Sequence, residues 1–200
     1  MKFKIYKYTI LKSTNDRAIN FIKERNVNLG YIHSDMQTLG RGTHGKKWMS
    51  MRGNLFGSIF FPLKKGYPSF NEFAFISPII ICNVIKYFCK NCNLSLKWPN
   101  DILISKKKIC GILQEIVRKN HLNYLIIGIG INLVNNPQII GIKTSNIFKE
   151  TNVIIKKDII IKRIIKSYEN FFIKINKYKF QYYKKKAYFL SVKPSDLRWN

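Results

Sequence analysis

The 200-residue sequence predicts an α+β domain, with a mixed, largely antiparallel sheet and helices packed on one face. Strand-like segments outnumber helical ones. Many of them follow one another directly, which favours antiparallel neighbours over strand–helix–strand units. A hydrophobic fraction of 46% is enough for a packed core, and no run of about 18 or more apolar residues predicts a membrane-spanning helix.

The elements follow in chain order. Residues 4–12 alternate and read as a strand, and the start Met1-Lys2-Phe3-Lys4-Ile5-Tyr6 is unlike the apolar core of a signal peptide. Ser13-Thr14-Asn15 offers capping side chains, and Ala18, Phe21, Ile22 and Arg25 follow at helical spacing. Residues 30–34 form a short second strand. A glycine- and base-rich loop spans 37–53, and the apolar stretch 54–61 reads as a buried strand. Ser77 before Pro78 reads as an N-cap with proline at the first helical position, giving a helix to about Cys89. A start near Glu72 would instead put Pro78 inside the helix and kink it. Residues 94–98, 101–104, 108–117 and 122–131 are successive strands, with Ser105-Lys106-Lys107 turning the middle two into a hairpin. From Asp158, read as a cap, Ile161, Ile164, Ile165, Tyr168, Phe171, Phe172 and Ile175 recur at helical spacing. Residues 1–180 form one domain in this reading. Residues 181–200 are a short basic, aromatic tail without an assignable element.

The formal net charge is +26. Lysine is spread along the whole chain with isoleucine and asparagine, which favours a compositional origin over a nucleic-acid-binding arm. Such a field still attracts anionic substrates or an acidic protein partner. Cys82, Cys89, Cys92 and Cys110 are the only cysteines. The lone Cys89-x-x-Cys92 pair has no second pair or nearby histidine, so reduced thiols in a cytoplasmic protein are expected rather than zinc or redox chemistry.

Four segments carry candidate chemistry. Gly40-Arg41-Gly42-Thr43-His44-Gly45-Lys46-Lys47-Trp48 contains G-x-G-x-x-G, but polar Asp35-Met36-Gln37-Thr38 precedes it and no helix follows, so it is not a dinucleotide fingerprint. No kinase catalytic motif lies downstream. What remains is a mobile loop whose glycines let backbone N–H groups approach an anion, with Arg41, Lys46 and Lys47 supplying charge. Lys97-Trp98-Pro99-Asn100-Asp101 ends a strand in a polar turn, and Asp101, one of ten acidic residues, suits a magnesium ligand or a general base. In Lys108-Ile109-Cys110-Gly111-Ile112-Leu113-Gln114-Glu115 the hairpin brings Lys108 back beside Asp101, and Gly111 lets a ligand lie against the strand. Gly128-Ile129-Gly130-Ile131-Asn132 is a glycine-spaced strand ending in a polar residue.

Together and in this order, with Ser13-Thr14-Asn15 and Gln37, these segments resemble the catalytic domain of biotin–protein ligases over about residues 8–135. The resemblance implies a class II synthetase-like fold and an ATP-dependent reaction. Biotin becomes biotinyl-5′-AMP and is then transferred to one lysine of the biotin carboxyl carrier domain of a biotin-dependent carboxylase. It implies that Ser13, Thr14, Asn15, Gln37, Gly40, Arg41, Gly42, Thr43, His44, Lys108 and Gly111 surround biotin. Lys46, Lys47, Trp48, Asn100, Asp101 and Asn132 surround ATP, with Mg2+ at Asp101. Arg41, Lys108 and Asp101 are the implied catalytic residues, with Arg41 holding the biotin carboxylate or the α-phosphate.

The sequence departs from the family pattern in three places. Thr43 and His44 stand where the family often has arginine. No DNA-reading domain precedes Ser13, so neither a repressor function nor specific nucleic-acid binding is expected, and no membrane association is expected. The C-terminal β domain reads as vestigial or absent. A homodimer is left open. Lipoate–protein ligase is the nearest rival reading, and a basic nucleic-acid-binding module is the rival of another class.

Overall fold

A computed structural model describes residues 1–192. The elements are β1 (Ile5–Leu11), α1 (Thr14–Lys23), β2 (Gly30–Gln37), β3 (Leu55–Pro62), α2 (Phe70–Phe88), β4 (Leu94–Lys97), β5 (Asp101–Ile104), β6 (Lys107–Lys119), β7 (Leu122–Ile131), α3 (Ile147–Thr151), α4 (Lys157–Ile173) and α5 (Phe180–Leu190). The strands make one sheet in the order β1-β2-β3-β7-β6-β5-β4. Only β1 and β2 are parallel, and α1 connects them. Every other neighbour is antiparallel. Ser105 and Lys106, both at positive φ (48° and 62°), close the β5–β6 hairpin with the left-handed pair that a two-residue turn needs.

Strand alternation sorts the core into two clusters. Tyr31, Ile59, Phe61, Leu125, Ile127 and Ile129 join α2 and α4 in the larger one. Their chain neighbours Ile32, Phe60 and Ile126 pack instead with Ala18, Phe21 and Ile22 of α1. Helices therefore cover both faces. α2 and α4 lie on one, as expected, and α1 lies on the other, contrary to the one-face expectation. The parallel β1–β2 connection has to cross the sheet somewhere, and here it crosses on the opposite side. Beyond α1, that second face is left open toward β6 and β7.

Four further expectations are corrected. The long helix starts at Phe70, not Pro78. Ser69 accepts from the Glu72 amide while the Glu72 carboxylate accepts from the Ser69 amide, and this capping box secures a turn upstream of the proline. Pro78 thus lies inside the helix, where the buried face around it keeps the helix on the sheet. β2 continues to Gln37 because its pairing with β1 runs on to Leu11↔Gln37. Asp158 lies in the first turn of α4, with Lys156 at the cap, and its carboxylate accepts from Lys7 Nζ at 2.7 Å. The stretch that sequence left without an element holds most of α5, which buries Ala187 and sets the Phe180 ring edge-on to Phe75 of α2. The end of that tail, residues 193–200, lies outside the described residues.

Candidate active site

On the open face a cavity of about 430 Å³ is bounded by the start of α1, the loop between β2 and β3, β6, β7 and the segment 137–144. Its floor is made by absent side chains. Gly111 and Gly130 are register partners in β6 and β7, and the Trp48 ring lies flat across both. A Cβ would stand 2.5 Å from that ring at Gly111 and 2.4 Å at Gly130. Glycine is required here for close approach. Trp48 Nε1 is buried with no partner among the described residues.

At the α1 end a chain of hydrogen bonds lines the wall. The Thr14 amide and hydroxyl donate to Gln37 Oε1 at 2.8 and 3.1 Å. Ser58 Oγ lies 2.8 Å from Thr14 Oγ1 and 2.5 Å from Asn15 Oδ1. Asn15 Nδ2 donates to Glu115 Oε2 at 2.7 Å. Ser13 caps α1 by accepting from the Asp16 amide, so the positive end of the helix also faces this wall.

At the other end stands Lys108. Its Nζ lies 2.8 Å from Asp101 Oδ1, off the line of a hydrogen bond, and 5.5 Å from the Trp48 ring centre. A bulge in the β5–β6 pairing at Ile102/Leu103 sets this position. It sends the consecutive residues Ile109 and Cys110 into the larger core and leaves Lys108 on the cavity side. Asn132 lines the same end. Its Nδ2 donates to Ser145 O, and its buried Oδ1 has no partner among the described residues.

The residues expected at a site converge. Ser13, Thr14, Asn15, Gln37, Arg41, Gly42, Thr43, Lys46, Lys47, Trp48, Asn100, Lys108, Gly111 and Asn132 all line the cavity. Gly40, His44 and Asp101 do not. Gly40 is buried under the Trp48 carbonyl, His44 is an exposed left-handed residue, and Asp101 stands behind Lys108. The geometry differs from expectation at Arg41. Both terminal nitrogens are engaged by carboxylates, those of Glu115 at 2.8 and 2.7 Å and that of Asp16 at 2.7 Å. Among the described residues Lys46 and Lys47 have no carboxylate partner.

Sequence reasoning missed Ser58, the roles of Asp16 and Glu115, and the apolar wall formed by Pro137, Ile139, Ile140 and Ile142. The one available signal was the isoleucine cluster Ile139-Ile140-Gly141-Ile142 just after the last motif; in the structure Ile140 is fully exposed.

A sheet face floored by paired glycines, with cations at one end and a hydrogen-bonding wall at the other, has the makeup of a pocket for a small ligand with apolar and anionic parts. The chain belongs to the biotin/lipoate A/B protein ligase family, whose profile matches residues 7–132. It is 31% identical over 126 residues to the bifunctional ligase/repressor BirA of Escherichia coli, covering 62% of this chain and 39% of that protein. It is 29% identical over 103 residues to the biotin–[acetyl-CoA-carboxylase] ligase of Paracoccus denitrificans, covering 50% of this chain and 43% of that one. The chain thus spans about two fifths of the length of these relatives. The structure of the Aquifex aeolicus biotin protein ligase in complex with biotin and ATP superposes with a TM-score of 0.77 at 27% identity, over 92% of this chain and 76% of that chain. The Leishmania major enzyme with biotinyl-5-AMP shares the fold, with a TM-score of 0.80 at 22% identity over 98% and 84% of the two chains.

Proposed function

We propose that this chain activates biotin with ATP as biotinyl-5′-AMP and transfers the biotinyl group to a lysine of a biotin carboxyl carrier domain, acting in the cytoplasm. The observation that carries this reading is one cavity with a hydrogen-bonding wall at its α1 end and three lysines, Lys46, Lys47 and Lys108, at its loop and β6 side. A cyclic urea offers two N–H donors and one carbonyl acceptor, which suits the Ser13–Thr14–Gln37–Asn15 wall. The sulfur ring and alkyl tail suit the space over the glycine floor.

In the first step a carboxylate oxygen of biotin bonds to the α-phosphorus and the bond to pyrophosphate breaks. Two anions must meet, and the lysines screen their repulsion and stabilise charge on the phosphoryl oxygens. Trp48 closes the floor and keeps water from the mixed anhydride. In the second step the carrier amine attacks the acyl carbon and AMP leaves. Asp101 holds Lys108 in place and is our candidate to receive the amine's proton. No group of three His, Cys, Asp or Glu side chains forms a cage among the described residues. Asp101 is the carboxylate that would contact a Mg2+ carried by the triphosphate, and the ion would supply charge neutralisation there.

The test is incubation of the chain with biotin, ATP, magnesium and a carrier domain, with the carrier's mass as readout and free lipoate as competitor. A biotin-dependent mass gain that lipoate does not suppress is expected. No gain, or a lipoyl adduct instead, overturns the reading.

A further inference from the structure

We propose that Arg41 is a positioning residue rather than an anion ligand. Clamped by Glu115 and Asp16, it pins the glycine loop to β6 and α1 and so holds Lys46, Lys47 and Trp48 in the cavity lining. Its catalytic consequence rests on the biotin-activation reading, but the pin itself does not.

Three carboxylate contacts converge on one guanidinium. Nη1 donates to Glu115 Oε1 at 2.8 Å, and Nη2 lies 2.7 Å from both Glu115 Oε2 and Asp16 Oδ1. A bidentate fork of this kind fixes direction as well as distance. Burial works against the charge, but the hydrogen bonds and charge of Glu115, then of Asp16, outweigh it and hold the guanidinium pKa above its ordinary value. The chain has 36 basic and 10 acidic residues, so any one acid could find many partners, yet two of the ten share this arginine.

The pin reaches the rest of the loop through its backbone. Arg41 bridges Lys47, the Gly42 amide donates to Lys46 O at 2.7 Å, and the Trp48 amide donates to Gly40 O at 2.9 Å. Fixing Arg41 therefore fixes the returning limb that carries both lysines and the tryptophan. Among the described residues those two lysines have no carboxylate partner, while Arg41 holds both Asp16 and Glu115. Glu115 has a second role. Its Oε2 accepts from Asn15 Nδ2, and Asn15 Oδ1 then meets Ser58, which leads on to Thr14 and Gln37. One carboxylate thus joins loop position to the polarity of the wall. An arginine that served as substrate ligand would have to leave both acids.

The test compares Arg41→Ala, a carboxylate-stripped variant (Asp16→Asn with Glu115→Gln, which keeps the oxygen that Asn15 needs), and the triple variant. One readout is amide hydrogen exchange over residues 40–48 in the free protein. The other is biotinyl-adenylate formation. Both Arg41→Ala and the stripped variant should raise exchange in that segment about tenfold or more, and the triple variant no further. Both should impair adenylate formation by matching factors, with the triple variant no worse than either. The proposal is overturned by unchanged exchange in the stripped variant, by wild-type adenylate formation in that variant alongside a defect in Arg41→Ala, or by a triple defect equal to the product of the two. If the wild-type protein forms no adenylate, the biotin reading fails while exchange still decides the pin.

Discussion

Lys108 is fixed from two directions, by Asp101 at 2.8 Å and by the Trp48 ring beneath it, and its strand position is set by the β6 bulge. Lys108→Ala should therefore cost adenylate formation about a hundredfold or more while leaving the fold intact. Pyrophosphate release beside a circular dichroism spectrum checks this, and near-wild-type release would remove Lys108 from the reaction. Thr43 also lines the cavity, at a position where relatives often have arginine. A neutral hydroxyl cannot make a charge-assisted contact to phosphate. Thr43→Arg should slow the dissociation of preformed biotinyl-adenylate by about tenfold to a hundredfold, the equivalent of one hydrogen bond to a charged group. An unchanged or faster release would mean that other residues hold the loop. At this scale the sequence was informative where a residue's chemistry is unusual for its place: a glycine triplet in a basic loop, an acid in a polar turn. It was silent on Ser58, Asp16 and Glu115. Their roles come from which side chain lies opposite them in space, and no local pattern encodes that.

At the scale of elements, β5 and β7 were legible to the residue and β6 to within two residues at each end, because turn residues and alternation bound them sharply. The long helix was not. Ser77-Pro78 is a good start signal, but Ser69 and Glu72 form a better one further upstream, and burial of the helix face outweighs the hydrogen bond that proline forgoes. The bulge at Ile102/Leu103 leaves no trace in the sequence, yet it decides which face receives Lys108. β2 also carries a buried histidine, His33, whose Nδ1 lies 2.9 Å from Phe56 O. Burial lowers its pKa below 6.5, ahead of the opposing Phe56 hydrogen bond and the Asp35 charge. Between that lowered value and 6.5 the unfolded chain binds more protons than the folded one. The stability His33 contributes is therefore present above about pH 6.5 and lost as pH falls toward the folded value. The melting temperature should drop on acidification through that window, and His33→Gln should flatten the drop. A parallel decline in both proteins would assign the loss to other groups.

At the scale of the whole molecule, a net charge of +26 bends both the proposed function and its rival readings. A field of this size speeds the approach of any polyanion, including triphosphates and acidic protein partners. It also guarantees some attraction to DNA and RNA, so binding at low salt would not distinguish a ligase from a nucleic-acid module. Salt dependence and sequence dependence do. Counterion release makes affinity from 6–10 phosphate contacts fall by about 10³–10⁵ between roughly 50 and 200 mM salt. Specific readout needs side chains placed on base edges by an element seated in a groove. Among the described helices, α1, α2 and α4 turn their apolar faces onto the sheet, and the basic residues are distributed over every part of the chain rather than gathered on one element. The expected outcome is binding that is indifferent to sequence and collapses by physiological salt. Fluorescence anisotropy with two unrelated duplexes and one single strand, each titrated at low and physiological ionic strength, measures both dependences at once. A complex that survives at the higher salt and prefers one sequence by about a thousandfold or more would show that the charge serves recognition and is not merely a property of a lysine-rich composition.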